Sequence, residues 1–459
     1  MMQRIRRYLW LIAMVYMLMA VSAPYIVLAE PEKVQETEEE QKPMTDGEGR
    51  PILLAGEAGI LIDQTSGAVL YESDSQKRMY PASTTKVMTC LLAVEAVERG
   101  EVSMEEQITI TAEMLAGLDI DGSNMALKEG EVLQFQHLLW GLMVPSGNDA
   151  AMAIAFRIAG SQELFAERMN ARAAELGLKD THFVNPHGLH DDNHYTTAAD
   201  MARIAHVAMK SEKFRNIVDI AHVKIPPTNM TETERYYLNT NGLLSGMRYS
   251  WYIYKGATGI KTGRTTEAGN CLVSSATRGN MSLIGVLFGA ADVGASHEES
   301  ARMLDYGFAN YQPVRGIAEG ELLGESKVKY ASRKDTVTLA AAEPVLALVP
   351  KGTAKEDLEI RLNLPDKVYA PIAEGEPIAS ATVLYQGQEL GETPLLALVA
   401  VKRSFFWPVM ALGDWLWGFL LIRIVVYLLL ACLAALLLLV LRTVWLELKR
   451  TYLKNQRRK

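Results

Sequence analysis

The sequence is poor in cysteine and in positive charge, and both shortages narrow the classes of protein to consider. Only three cysteines occur in 459 residues, too few for the disulfide framework of a small secreted scaffold. The formal net charge is −8, whereas a surface that binds nucleic acid needs clustered lysine and arginine. The only basic cluster lies at the extreme C-terminus. Nucleic acid is therefore excluded as a main partner.

The three cysteines carry little further information. Cys432 falls within an apolar C-terminal run, and Cys90 and Cys271 are interpreted as buried apolar residues. The sequence leaves open whether Cys90 and Cys271 form a disulfide with each other.

The N-terminal end is expected to direct export. Three arginines precede an apolar run from Tyr8 to about Val21, and small residues follow at Val27 to Ala29. This pattern predicts a signal peptide over residues 1–29. Residues 30–50 are rich in glutamate and poor in large apolar side chains, which predicts a disordered acidic linker.

The C-terminal end is expected to anchor the protein. Residues 424–441 carry no charge, and about 18 residues at roughly 1.5 Å each approach the thickness of the hydrocarbon layer. Seven basic residues follow the run and three lie shortly before it. This bias predicts a single-pass anchor region over 402–441, a cytoplasmic tail over 442–459 and everything earlier on the extracytoplasmic side. A buried helix of a soluble domain is the alternative.

Two globular domains are predicted between these ends. Residues 51–312 begin with two short strands, continue through helical patterns and end with two buried strands, "GNCLVSSAT" and "MSLIGVLFGA". This order predicts an α+β domain whose antiparallel sheet is completed from both ends of the segment. Residues 313–401 contain short strands separated by Gly, Pro and Asp turns, which predicts a small all-β sandwich.

A serine and a lysine lie one turn apart at the start of the first predicted helix. In "YPASTTKVMTCLL", Ser83 and Lys86 are at i and i+3, so the lysine amine can reach the serine hydroxyl on the same helix face. The pair can equally be a capped helix that carries a lysine. A second match, Ser326 with Lys329, lies in an alternating strand, where i and i+3 face opposite sides.

Two further motifs favour the chemical interpretation. "VPSGNDAA" puts Ser146 and Asn148 in a turn between two helices, where both side chains can project into a cleft. "GIKTGRTT" puts Lys261, Thr262 and Gly263 before a strand, with the glycine expected to allow a ligand backbone to approach closely.

The three motifs in this order resemble the signature of penicillin-recognising serine enzymes. The phrases "PASTTKVMT", "PSGNDAA", "FVNPHGL", "YTTAADMA" and "GIKTG" are similar to those of the serine-type D-alanyl-D-alanine carboxypeptidases, the low-molecular-weight penicillin-binding proteins of the S11 peptidase family. The resemblance covers about residues 51–312. A penicillin-binding, transpeptidase-like fold is therefore expected there.

The resemblance implies a role for each motif residue. Ser83 is expected to be the nucleophile and Lys86 its base, while Ser146 relays a proton to the leaving D-alanine. The residues expected to bind substrate are Asn148, Lys261, Thr262, Gly263 and Arg264, with the backbone N–H groups of Ser83 and Arg264 as the oxyanion hole. Peptidoglycan stem peptides are the implied substrates and β-lactams the implied covalent inhibitors. No cofactor or metal is expected.

Some residues depart from the family pattern. Thr240 and Ser296 stand where basic residues are frequent in relatives, so we expect a less cationic carboxylate pocket, for which Arg264 is a candidate compensation. His187, His190 and His194 superficially resemble a metal site. Pro186 and Gly188 prevent the helix that would align them, so a structural loop is the favoured interpretation.

Two other functions remain open from the sequence. A β-lactamase would share the motifs but requires a carboxylate that activates the deacylating water, and the sequence assigns no glutamate to that role. A membrane-tethered β-lactam or peptidoglycan sensor is disfavoured, because a tail of about 18 residues is too short to fold as an output domain.

Overall fold

The computed structural model describes residues 56–118, 122–244 and 251–456. The predicted signal peptide and acidic linker lie outside the described residues.

An antiparallel five-stranded sheet forms the centre of the first domain, in the order β2-β1-β9-β8-β7. The strands of this domain are β1 Ala58–Asp63, β2 Val69–Ser73, β3 Gln107–Thr109, β4 Val132–Gln134, β5 His222–Ile225, β6 Arg235–Leu238, β7 Ala257–Thr265, β8 Gly269–Arg278 and β9 Met281–Ala290. β1 pairs with β9, with Ile60 opposite Val286. The predicted completion of the sheet from both ends of the segment is confirmed.

Within the described residues of this domain, eight helices accompany the sheet. They are α1 Lys86–Glu98, α2 Ala112–Leu115, α3 Phe135–Met143, α4 Asn148–Ala159, α5 Gln162–Glu175, α6 Ala198–Ala208, α7 Glu212–Val218 and α8 Val293–Asn310. α1 is the central helix, since α3, α4 and α6 all contact it and ten of its residues are buried. An apolar surface on every side of a helix requires such a position. Side-chain caps from Ser161 and Thr197 begin α5 and α6.

Two predicted helices begin later than the sequence pattern indicates. The apolar period predicts a helix from Thr84, but the segment opens with a 3-10 turn over Ala82–Thr85 and α1 starts at Lys86. The helical pattern also predicts a helix from Leu133, but α3 starts at Phe135, because Leu133 pairs with Ile108 where β4 lies beside β3. In both places tertiary pairing or packing overrides the local helical periodicity.

The second domain is all-β, as predicted. Its strands are β10 Tyr311–Ile317, β11 Leu322–Lys329, β12 Thr336–Ala341, β13 Val345–Pro350, β14 Glu359–Asn363, β15 Val368–Tyr369, β16 Pro377–Tyr385 and β17 Gln388–Ala397. A six-stranded sheet, β14-β16-β17-β12-β11-β15, accompanies a two-stranded sheet, β10-β13. Alternate residues such as Val337, Leu339, Val383 and Leu395 form the core, as the period of two along a strand requires.

Two helices follow the β domain, α9 Trp407–Gly418 and α10 Leu420–Gln456. The part of α10 from Arg423 to Thr443 is long and apolar enough to cross a membrane, and none of it is buried in the protein. Such exposure does not fit the alternative of a core helix in a soluble domain. A C-terminal apolar helix compatible with a membrane anchor is therefore present.

Candidate active site

Ser83 and Lys86 form the centre of the candidate site. Ser83 lies in the 3-10 turn Ala82–Thr85 and Lys86 is the first residue of α1. The Lys86 Nζ atom donates hydrogen bonds to Ser83 Oγ at 2.9 Å, to Asn148 Oδ1 at 2.8 Å and to the His187 carbonyl at 2.7 Å. Three acceptors from three segments hold the amine beside the serine hydroxyl.

The Lys86 amine lies in surroundings that favour its neutral form. Its side chain is fully buried, and burial holds its pKa well below the ordinary value, with the charge of Lys261 lowering the pKa further and Asp149 opposing the shift. A buried amine is a proton acceptor near neutral pH, which an exposed lysine is not. Lys86 therefore has the environment that a general base requires.

Ser146 and Asn148 lie where α3 ends and α4 begins. Ser146 is buried and its φ angle is +72°, a left-handed conformation that costs energy for a residue other than glycine. Asn148 is the first residue of α4, and its backbone N–H donates to the Ser123 carbonyl at 2.8 Å. The second motif is thus joined to Lys86 through the Asn148 side chain.

The third motif lies on β7. Lys261 is buried, and its Nζ atom donates to the Thr262 carbonyl at 3.0 Å and to Thr240 Oγ1 at 3.3 Å. The Thr262 hydroxyl also donates to Thr240 Oγ1, at 2.6 Å. A positive charge next to two hydroxyl groups is suited to binding a carboxylate.

Gly263 permits a close approach, although not the one expected. A Cβ atom on Gly263 would lie 2.9 Å from the Pro81 carbonyl oxygen and 3.0 Å from the nitrogens of Ser83 and Thr84. The backbone that approaches is the protein's own 3-10 turn Ala82–Thr85, called the nucleophile turn after the role predicted for Ser83. Glycine at this position lets β7 pack directly against that turn.

The motifs enclose a cleft of about 330 Å³. Residues from all three motifs line it, together with residues that the motifs do not include: Ser83, Ser123, Ser146, Thr240, Thr262, Gly263, Arg264, Asn270, Cys271, Val293, Ser296 and His297. This set of described lining residues contains no aspartate or glutamate.

Comparison with known proteins agrees with this arrangement. The family model for D-alanyl-D-alanine carboxypeptidase matches residues 45–292, and the model for the C-terminal domain of penicillin-binding protein 5 matches residues 311–403. This chain belongs to the D-alanyl-D-alanine carboxypeptidase family. The resemblance and the enzyme class predicted from the sequence are confirmed, and this carboxypeptidase has the expected fold.

Individual relatives are similar over most of their length. The D-alanyl-D-alanine carboxypeptidase DacF of Bacillus subtilis is 35% identical over 79% of this chain and 91% of its own. DacA of Escherichia coli K12 is 32% identical over 76% of this chain and 84% of its own. The crystal structure of penicillin binding protein 5 from Haemophilus influenzae matches with a TM-score of 0.64 and 31% identity, covering 77% of this chain and 99% of that one.

Sequence reasoning missed the contribution of the His187 loop to this carboxypeptidase's site. His187 takes part through its backbone carbonyl, which accepts from Lys86. Gly188, with φ +84°, lies so close to the nucleophile turn that a Cβ atom would be 1.9 Å from the Ala82 carbonyl oxygen. Every residue has a backbone carbonyl, so the sequence does not indicate which carbonyl accepts from Lys86. Gly188 is the residue whose type reflects the close packing of this loop.

The histidines of this loop have structural contacts. His194 Nδ1 accepts from the Val184 N–H at 3.1 Å, so its Nε2 carries the proton and donates to Thr85 Oγ1 at 2.8 Å. Burial lowers the pKa of His187 to about 3 and that of His194 to about 4. Within the described residues, no three His, Cys, Asp or Glu side chains are arranged to hold a metal ion.

The residues that depart from the family pattern line the same cleft. The Ser296 hydroxyl donates to the Val293 carbonyl at 2.8 Å, and Thr240 accepts from Lys261 and Thr262. Arg264 lines the cleft and is exposed. His297 Nε2 accepts from the Gly242 N–H at 3.0 Å, and burial lowers its pKa.

Cys90 and Cys271 are both free thiols. Cys271 lines the cleft, but burial raises its pKa to about 12. A thiol with so high a pKa is not a reactive nucleophile near neutral pH.

Proposed function

We propose that this carboxypeptidase removes the terminal D-alanine from peptidoglycan pentapeptides through an acyl-enzyme on Ser83. The observation that carries the proposal is the 2.9 Å contact between Ser83 Oγ and the fully buried Lys86 amine. In its neutral form the amine has two N–H groups, which donate to Asn148 Oδ1 and to the His187 carbonyl. Its lone pair can then take the hydroxyl proton at that distance as the serine attacks.

The first half of the reaction forms the ester. Ser83 Oγ bonds to the carbonyl carbon between the two D-alanines while its proton moves to Lys86. The oxyanion is stabilised by the backbone N–H groups of Ser83 and Arg264. The C–N bond then breaks, and Ser146 relays a proton from Lys86 to the leaving amine. Water hydrolyses the ester in the second half and regenerates the Ser83 hydroxyl.

Substrate binding is assigned to the remaining motif residues. Lys261 and Thr262 bind the terminal carboxylate, and the Asn148 side-chain NH₂ donates to the substrate's peptide carbonyl, since its Oδ1 already accepts from Lys86. Gly263 keeps β7 close to the nucleophile turn. β-Lactams mimic the D-Ala-D-Ala terminus and acylate Ser83 in the same way. No cofactor enters this scheme.

The assignment is tested with a synthetic pentapeptide that ends in D-Ala-D-Ala. Mass spectrometry is expected to detect the loss of one alanine with wild-type protein and no loss with Ser83→Ala. Equal loss with both proteins would overturn the role of Ser83.

Incubation with penicillin separates this function from a β-lactamase. We expect a long-lived adduct of one penicillin per chain on Ser83, because the described cleft lining contains no carboxylate to activate a deacylating water. Rapid multiple turnover of penicillin would favour the lactamase instead. The sensor alternative instead predicts a conformational change in the cytoplasmic tail when Ser83 is acylated.

The protein is further proposed to be exported and held at the cell membrane by the Arg423–Thr443 segment, with the catalytic domain outside and the C-terminus in the cytoplasm. The excess of basic residues after the segment supports this orientation. External protease is expected to release the catalytic domain from intact protoplasts and to leave a C-terminal tag protected. A protected catalytic domain with a cleaved tag would reverse the orientation.

A further inference from the structure

We propose that the end of the β domain next to α9 is a binding surface for the headgroups of anionic phospholipids. The proposal rests on the membrane anchor proposed above and concerns residues that the carboxypeptidase reaction does not use. Six exposed basic residues form the surface, which we call the basic rim: Lys329, Arg333, Lys334, Lys367, Lys402 and Arg403.

Backbone pairing holds the three segments of the basic rim together. Lys329 at the end of β11 pairs with Tyr369 of β15. The Ser332 N–H donates to the Lys402 carbonyl at 2.9 Å, and the Arg403 guanidinium donates to the Ala370 carbonyl at 2.7 Å. Cations far apart in sequence are thus gathered on one preformed surface.

The charge of the basic rim is only partly compensated. The same segments and α9 contain three carboxylates, Asp335, Asp366 and Asp414, against six cations. Asp414 is already engaged, since its Oδ2 accepts from Lys329 Nζ at 2.5 Å and from the Tyr330 hydroxyl at 3.2 Å. The remaining excess of positive charge attracts phosphate groups.

The Lys329–Asp414 contact joins the basic rim to α9, the helix that precedes the proposed membrane anchor. Asp414 is the only charged residue of α9, and this contact ties the helix to the β domain. α9 is otherwise apolar and exposed, and the chain continues from it into the Arg423–Thr443 segment. The rim is therefore continuous with the part of the chain that enters lipid.

Exposed aromatic rings lie among the cations and favour lipid over a water-soluble anionic polymer. Phe405 is 90% exposed and Phe406 66% exposed, two and three residues after Arg403. The Arg403 guanidinium lies 4.9 Å from the centre of the Trp407 ring. Tyr369 is also exposed. Aromatic rings beside basic residues are typical of the membrane interface, where one part contacts acyl chains and the other phosphates.

The test uses full-length protein reconstituted in bilayers that contain spin-labelled phosphatidylglycerol or phosphatidylcholine. Electron paramagnetic resonance measures the fraction of each lipid that is immobilised by protein. Each cation near the surface changes the affinity for anionic lipid by roughly fivefold at most. We expect Arg333→Glu/Lys334→Glu/Lys367→Glu to lower the phosphatidylglycerol preference by at least about threefold at low salt, and high salt to remove the difference.

A matched control, Arg315→Glu/Lys351→Glu/Lys355→Glu, reverses the charge of three exposed cations elsewhere on the β domain. Lys351 lies next to the catalytic domain, since its N–H donates to the Asn310 carbonyl. The basic cytoplasmic tail is identical in all variants, so only the difference between them counts. Unchanged hydrolysis of a soluble D-Ala-D-Ala peptide verifies folding, and resistance to carbonate extraction verifies the anchor separately. Equal lipid preference in the rim variant and the control would overturn the proposal. The proposal would also be overturned if the rim variant kept its lipid preference but bound an anionic wall polymer less tightly.

Discussion

The peptide nitrogen of Ser83 lies 3.0 Å from the point that a Cβ atom on Gly263 would occupy. The third motif therefore contacts the first through backbone atoms. β7 lies so close to the nucleophile turn that no methyl group fits between them. This contact places Arg264 next to the nucleophile turn, where its N–H is proposed to face the oxyanion.

We expect Gly263→Ala to slow acylation by about a hundredfold or more, the loss typical of one oxyanion-hole donor. The neighbours of the added methyl are backbone atoms, so β7 must move away from Ser83. Stopped-flow acylation by penicillin measures the rate. Gly413→Ala is the control, because nothing lies within 4 Å of its added Cβ. An unchanged acylation rate in Gly263→Ala would show that β7 does not position the site.

Removing the charge of Lys261 is expected to shift the pH profile of acylation upward. Lys86 must be neutral to accept a proton, so the rate falls as pH drops through the pKa of Lys86. The charge of Lys261 contributes to lowering that pKa, and Lys261→Met therefore raises it, whereas Lys261→Arg leaves it low. Rates of acylation between about pH 5 and pH 10 measure the midpoint. A midpoint that is the same in both variants contradicts the coupling.

Glu131 and Arg235 form a buried ion pair at 2.6 Å, with side chains 0% and 12% exposed. We expect Arg235→Ala to lower the free energy of unfolding by about 3 to 5 kcal/mol, because it leaves a buried carboxylate unpaired. The double variant Glu131→Ala/Arg235→Ala is expected to recover part of this loss. Urea unfolding measures all three variants.

The exposed pair of Lys77 and Glu57 is the control for that cycle, since its side chains are 49% and 58% exposed at 2.8 Å. Lys77→Ala is expected to change the free energy of unfolding far less than Arg235→Ala does, because water and salt screen an exposed ion pair. Losses of similar size at the two pairs would mean that burial does not decide the contribution.

The stability of the fold is expected to fall in acid. The pKa values of His187 and His194 are lowered to about 3 and about 4 in the folded state, so below about pH 6.5 the unfolded chain binds more protons. Each histidine then reduces the free energy of unfolding by about 1.4 kcal/mol per pH unit, until its folded pKa is reached.

Urea unfolding between about pH 7.5 and pH 4.5 measures that slope. His194→Gln is expected to make the slope shallower, whatever it does to the stability at neutral pH. His222→Gln is the control, because it removes an exposed imidazole. A slope that His194→Gln does not alter would mean that His194 is protonated in the folded protein.

Much of the fold follows from local patterns. The alternation in "TVTLAA" and "VLALVP" predicts β12 and β13, and the apolar period in the region of α1 predicts a buried helix. α8 was not predicted, because the buried residues of its first turns, "VGASHEES", are polar, and its large apolar buried residues, such as Met303 and Leu304, come later. The hairpin of β5 and β6 was missed as well. β5 alternates between exposed and buried side chains but is only four residues long, and β6 shows no such alternation.

The sequence by itself determined which chemical groups are present and that Ser83 and Lys86 share a helical turn, because i to i+3 geometry is local. Only the tertiary structure decided that Lys86 is buried beside Lys261 and bonded to Asn148 and to the His187 carbonyl, 62 and 101 residues away. Removal from water changes the proton affinity of an amine, and removal from water depends on every segment that packs over it.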